Sequence, residues 1–464
     1  MKLTCMREFD LSVEAGGFLR SANVKLKDRS AMLFVYSAGP DVDPGEELLQ
    51  FKGIQPVHIA LFTMDGTRLW EKVLPDGVLP GTWFVPAVPF DMDGDGEDEI
   101  YLVNNTGAPF SFLHRRLERL DARTGESTGS WPWPAHTFNE RLSLCYRFYL
   151  AAGYSHGEPV LVTAQGTYEN MYLQGWDHTM QKRWDVLIKD SDPGPRASHT
   201  TPVMDFNGDG VDELFWGERL LSLDDGHEVI DYAPDFHGHS DVVIPFMDYT
   251  TGEWYIYTCR EGGEQPGVKR VVCFQKNGRI AWERIDEGHI HNGWIAAIGE
   301  DYGKIAMCMR HRFVPGGIGF EHMEDGIFFF DAVTGETVDP GLPCKGTDLL
   351  PIDINGDGYH EFLVIDGPLK NAILDRHGNV LDHLPQECDS NMGESLRLGK
   401  LMNAPGEQLL LQKKGTTLVQ LYGDSEAEDG DIIRRRYAIP YLTFMQKLMA
   451  SGYNCIGSHV ACGV

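Results

Sequence analysis

The sequence predicts an all-β fold, a single β-propeller of four-stranded antiparallel sheets over residues 1–464, with eight blades rather than seven. Three observations predict it. Turns of the Asp-Gly, Asn-Gly and Thr-Gly kind recur about every 50 residues between short apolar runs, a period that suits one blade each. A nine-residue acidic segment followed by a strand-like run appears three times. Long helical periodicity is nearly absent; the best stretch is Tyr441–Ala450.

The hairpins come in chain order. They lie at Asp65-Gly66, Thr124-Gly125, near Met180, at Asp225-Gly226, Asn277-Gly278, Thr334-Gly335 and His377-Gly378, with a degenerate one near Asp429-Gly430. A tight two-residue turn needs positive φ at its centre, which Gly, Asn and Asp tolerate. Three of these units end on tryptophan, at Trp70, Trp184 and Trp282. No Pro- or Ser-rich linker divides the chain.

The acidic segments are Asp91–Glu99, Asp205–Glu213 and Asp353–Glu361. Each places short oxygen ligands on alternate positions of a loop bent by glycines, as a Ca²⁺ ion requires. The expected ligands are Asp91, Asp93, Asp95, Glu97 and Glu99; Asp205, Asn207, Asp209, Val211 and Glu213; and Asp353, Asn355, Asp357, Tyr359 and Glu361, with position 7 of each loop contributing its carbonyl. The acid at position 9 and the strand after it distinguish these loops from an EF-hand. Structural Ca²⁺ in up to three loops is the expectation, pinning loops without doing chemistry.

Net charge is −29, from 69 acidic and 40 basic residues, which argues against nucleic acid or an anionic membrane as partner. The nine cysteines are scattered without CxxC spacing and read as reduced thiols in a monomer. The first ten residues carry charges where a signal peptide is apolar, so the expected location is cytoplasmic, or secreted or periplasmic if a leader precedes them.

Candidate chemistry concentrates between residues 196 and 294. His199, His239, Asp241 and Glu261 combine two imidazoles and two carboxylates, a set that can hold a divalent metal, with zinc, manganese and calcium all open. Nearby are His237 and the loop His289-Ile-His291-Asn-Gly-Trp294, whose imidazoles can transfer protons near neutral pH. Arg147, Arg260 and Arg310 are candidates for pairing a uronate carboxylate, and Tyr168 and Trp294 for contacting a sugar.

From Arg141 to Tyr168, through Gly175-Trp-Asp and Lys182-Arg-Trp184, to Ser198-His199, Asp205–Gly217, Gly238-His239-Ser-Asp241 and Arg260-Glu261, the chain resembles the rhamnogalacturonan lyases of polysaccharide lyase family eleven. The resemblance implies a calcium-rich propeller that cleaves a uronate- and rhamnose-containing glycan by β-elimination. Its substrate would be an anionic plant, algal or gum-type glycan or its oligosaccharides. It also implies an inner metal at His199, His239, Asp241 and Glu261. Gly288–Gly293 matches a family loop with a catalytic basic residue, and here His289 and His291 stand in it. The family's Asn-Asn-Gly-Thr-Lys loop matches Asn391-Met-Gly-Glu-Ser395, without the lysine. His289 or His291 is the expected base, with His237 and Arg260 completing the catalytic set. The alternatives are a sugar-binding propeller without catalysis and a glycoside hydrolase.

Overall fold

The computed structural model describes residues 1–42, 54–81, 83–108, 111, 113–133, 146–261, 267–299, 303–313, 320–342, 349–365, 367–385 and 397–452. Their strands form eight antiparallel sheets, the blades of a propeller. Blade I starts at Phe18–Lys25, II at Ala87–Phe90, III at Phe148–Ser155 and IV at Val203–Met204. Blade V starts at Ser240–Met247, VI at His289–Ala297, VII at Leu349–Ile352 and VIII at Arg397–Gly399. Blade VI is the exception to the four-stranded expectation. It has three strands among the described residues, and a single bridge from Phe330 to Thr337 stands where a fourth would begin.

Blade VIII closes the ring with chain from both ends. Its outermost strand is Leu3–Asp10, paired antiparallel with Leu418–Asp424. This overturns the eighth hairpin expected near Asp429-Gly430. The fourth strand arrives from the N-terminus, so no turn is needed there, and Gly430 instead starts helix α1 (Asp431–Tyr437). The other seven turns come directly after the third strand of a blade. Six of them lead into a fourth strand, and the Thr334-Gly335 turn leads to the Thr337 bridge.

A tryptophan staple repeats between blades. Trp70, Trp184 and Trp282 lie on the outer strands of blades I, III and V. Each donates its indole N–H to a carbonyl in the turn of the next blade: Trp70 to Ala122 at 2.6 Å, Trp184 to Leu223 at 2.9 Å and Trp282 to Ala332 at 2.9 Å. Each ring then lies against the turn glycine, Gly125, Gly226 or Gly335, so closely that a Cβ there would strike the indole. The glycine therefore serves twice, for its positive φ and for the flat seat it leaves.

Helix α2 (Pro440–Leu448) packs on the first strands of blades I, II, III and IV. Tyr441, Leu442, Met445 and Leu448 are buried there. Arg397 of blade VIII donates to the Gln446 carbonyl at 3.0 Å, and Lys447 pairs with Asp98 of blade II. Helix α1 lies on the third acidic loop. Arg436, buried, donates to Asp353 Oδ2 at 2.9 Å and to the Gly358 carbonyl at 2.7 Å, and lies 3.8 Å from Glu407 Oε1.

Topology separates two faces. All three acidic loops join the first and second strands of blades II, IV and VII. In an antiparallel blade those loops share a face with the third-to-fourth turns. Connections between blades, and second-to-third loops, emerge on the opposite face.

Two consequences can be measured. Gly335→Ala meets both a φ of +69° and the Trp282 ring, so thermal unfolding should show a loss of more than about 1 kcal/mol; an unchanged midpoint would refute the staple. Arg436→Met leaves Asp353 and Glu407 without their buried cation and should cost about 3–5 kcal/mol in urea unfolding.

Candidate functional site

The innermost strands bring distant residues together on the face opposite the acidic loops. His199 lies in the connection from blade III to IV, and His239 directly precedes the first strand of blade V. Asp241 is the second residue of that strand, Glu261 comes immediately after its neighbour Trp254–Arg260, and His289 opens blade VI. His199, His239 and Asp241 are buried, and one ligand atom from each lies within 4.8 Å of the others. His199 Nδ1 is 3.4 Å and His239 Nε2 is 3.3 Å from Asp241 Oδ1. His289 Nε2 approaches Asp241 Oδ2 at 3.1 Å, and its Nδ1 lies 3.6 Å from Glu261 Oε1.

Neither ring nitrogen of His239 makes a hydrogen bond among the described residues, although the side chain is only 4% exposed. A buried imidazole that makes no hydrogen bond is costly unless something else meets its nitrogens. A divalent cation beside Asp241 Oδ1 would meet it, and two imidazoles with a carboxylate suit a borderline metal. The residues fit the group, and Glu261, more exposed than the others, borders it.

Aromatic and basic side chains continue the site outward. The Tyr168 ring lies 4.5 Å from that of His239, and its hydroxyl is 3.4 Å from His199 Nε2. Burial pushes that hydroxyl well above the usual phenol range, with Arg147 opposing the shift. Arg147 stacks between Tyr168 and Trp83, at 5.0 and 4.5 Å. Trp83 also meets His199 edge-on at 5.6 Å. Sequence pattern does not single out Trp83, which sits in an irregular loop with no motif around it.

Other candidates lie elsewhere. Trp294, expected on the sugar, is fully buried in the core between blades VI and VII and donates to the Leu349 carbonyl at 2.7 Å. Strand alternation turns its side chain into the blade interface rather than to solvent. Arg260, expected in the catalytic set, is buried and forked onto Glu218, through Nε at 2.8 Å to Oε1 and NH2 to Oε2, with its plane over Phe236. His237 is exposed on the rim, 3.4 Å from Asp190. Arg310 is half-buried over Phe328, 3.8 Å from Glu287. The His291 side chain and the Asn391–Ser395 loop lie outside the described residues.

The acidic loops have the backbone geometry of cation loops. Asp91 accepts from Gly96 N at 2.9 Å, Asp205 from Gly210 N at 3.0 Å and Asp353 from Gly356 N at 3.0 Å. In the first loop Asp91 Oδ1 is buried without a hydrogen-bond partner among the described residues, and Asp91, Asp93 and Asp95 present oxygens within 4.8 Å of one another. Burial, reinforced by neighbouring aspartates, lifts Glu99 and Glu213 to about 7 and Glu361 to about 9. The oxygens of Asp91, Asp93 and Asp95 therefore fit Ca²⁺ in the first loop, whereas in the third Arg436 already supplies a cation to Asp353.

No family model matches the chain. Among curated proteins it is similar to the rhamnogalacturonan exolyase YesX of Bacillus subtilis, 25% identical over 288 residues, covering 49% of this chain and 46% of the relative. The rhamnogalacturonan endolyase YesW of the same organism is 22% identical over 288 residues, covering 49% and 45%. The match thus spans less than half the length of these relatives. Among solved structures, YesX matches with a TM-score of 0.75 at 17% identity, over 98% of this chain and 82% of that one. The rhamnogalacturonan lyase of Bacillus licheniformis gives 0.75 at 17% identity, over 98% and 81%. The likeness of sequence supports homology to rhamnogalacturonan lyases, and the likeness of structure establishes the eight-bladed fold.

Chelation tests the loops. Exhaustive treatment with EGTA should lower the midpoint of thermal unfolding by several degrees, and Ca²⁺ should restore it, as for any ligand that binds only the folded state. A midpoint that does not respond to either would remove calcium from the loops.

Proposed function

We propose that this protein is a carbon–oxygen lyase that cleaves a uronate- and rhamnose-containing glycan of the pectin type by β-elimination. The observation that carries the reading is the buried cluster of His199, His239 and Asp241, bordered by His289 and Glu261, on a fold shared with rhamnogalacturonan lyases.

β-Elimination removes the C5 proton of a uronate and breaks the C4–O4 bond, leaving a C4–C5 double bond. It needs charge neutralisation at the C6 carboxylate, a base at C5 and a proton for the leaving oxygen. A divalent cation held by His199, His239 and Asp241 would supply charge neutralisation at the carboxylate. Arg147, held by Trp83 and Tyr168 beside that cluster, orients the same carboxylate. Arg260 leaves this role, since Glu218 already occupies its fork. His289, set between Asp241 and Glu261, is the proton-transfer group the geometry favours for C5. Tyr168, whose hydroxyl stays protonated at neutral pH, serves the leaving oxygen. Glu261 and Asp241 both contact His289 rather than facing each other across an open cleft, so a hydrolase, which needs two carboxylates flanking the scissile bond, is disfavoured.

The test is product chemistry. Incubation with rhamnogalacturonan I and with rhamnose–glucuronate oligosaccharides should generate the ultraviolet absorbance of an unsaturated uronate. His289→Ala should lower kcat about 10²–10⁴-fold while the fold is retained by circular dichroism. A saturated product would make the protein a hydrolase, and no product from any of these glycans would leave it a binding module.

A further inference from the structure

We infer that Glu218 is a positioning residue for the cation cluster, holding the two strands that carry its ligands through a buried ion pair with Arg260; this rests on the metal reading above. Glu218 lies just after the second strand of blade IV, on the neighbouring blade to the ligands it serves. Its carboxylate is 1% exposed and accepts three hydrogen bonds. Ser240 Oγ donates to Oε1 at 2.7 Å, Arg260 Nε donates to Oε1 at 2.8 Å, and Arg260 NH2 donates to Oε2.

The partners explain the role. Ser240 stands between His239 and Asp241, and Arg260 directly precedes Glu261. Ser240 and Arg260 are themselves cross-strand neighbours, and the Glu261 amide donates to the His239 carbonyl at 3.0 Å. One carboxylate from blade IV thus fixes both strands at the point where His239, Asp241 and Glu261 leave them. A register irregularity between Ser240 and Val242 falls at the same point. There His239 Nε2 and Asp241 Oδ1, two residues apart in the chain, lie 3.3 Å from each other. Cross-blade anchoring at this spot decides whether the imidazole and carboxylate converge or drift.

Arg260 is anchored in turn. Its guanidinium lies 4.1 Å from the Phe236 ring and reaches the Lys269 carbonyl at 3.3 Å. Aligning ligands from outside the ligand set is worth about 10–100-fold in metal affinity in other metalloproteins.

The experiment titrates the full chain, stripped of metal, with Mn²⁺, Zn²⁺ and Ca²⁺ in separate calorimetric runs. His239→Ala identifies the isotherm that belongs to the cluster. Ser240→Ala and Glu218→Gln should weaken that isotherm, Glu218→Gln by about 10–100-fold, and Arg260→Lys, which keeps the charge and loses the fork, should fall between wild type and Glu218→Gln. Ser240→Ala keeps the test open if Glu218→Gln fails to fold. A cluster isotherm that Ser240→Ala and every folded Glu218 variant leave within about threefold of wild type, whatever their effect on thermal stability, overturns the inference. Absence of any His239-dependent isotherm in the wild type overturns the metal reading itself and the inference with it.

Discussion

Each blade of this protein packs between two neighbours that its local sequence does not choose, so the ring depends on how adjacent blades are keyed. The tryptophan staple supplies that key at three junctions. An indole N–H reaches a turn carbonyl, and the ring seats on a glycine that a side chain would displace. The hydrogen bond fixes the height of one blade against the next, and the flat ring fixes their separation. Junctions between staples use other devices. At the junction of blades IV and V, the Tyr232 hydroxyl donates to the Lys276 carbonyl at 2.9 Å, and Ile230 lies over Gly278. At the junction of VI and VII the buried Trp294 reaches Leu349.

Keying matters because the candidate site is assembled across blades. His199 belongs to the approach to blade IV, His239 and Asp241 to blade V, and His289 to blade VI. No blade carries the cluster alone, so a rotation of one blade would change the distances that join His199 and His289 to Asp241. The acidic loops lie at the other ends of the first strands. In blade IV two residues of strand, Val203 and Met204, separate the segment bearing His199 from Asp205. A cation that stiffened that loop would stiffen the same short strand, which is a structural contribution to the site without direct contact. Helix α2 adds a second brace, because it touches the first strands of several blades at once.

Much of this fold was legible in the sequence, for a definite reason. Turns that require positive φ leave a residue signature, and seven of the eight predicted turns fall where expected. The eighth failed because ring closure by Leu3–Asp10 is a long-range fact that no local pattern near Asp429 records. The histidine and aspartate of the cluster were legible as chemistry-bearing types in unusual density. Side-chain direction was not. Trp294 sits within five residues of His289, yet strand alternation sends it into the core. Arg260 adjoins Glu261, yet its guanidinium faces back to Glu218. Trp83 and Glu218 carry no local signal, since what makes them relevant is contact with residues far along the chain.

The site also differs in kind from the acidic loops, and the difference is chemical. The loops offer oxygen ligands, exposed at Asp93 and Asp95 and buried at Glu213, Asp353 and Glu361, a hard set for a hard ion. The cluster offers imidazole nitrogen beside one fully buried carboxylate, with a third imidazole from His289 in contact with that carboxylate. Burial of His239 without a hydrogen bond would be a net cost to folding if nothing met its nitrogens. That cost is borne at a place where several blades converge and where Arg147 stacks between Trp83 and Tyr168 beside the cluster. Structural needs alone would favour apolar packing there, as they do in the core around Trp294. Polar, cation-seeking groups buried on this face, where apolar packing would serve the fold better, are therefore what distinguishes it from the face of the acidic loops.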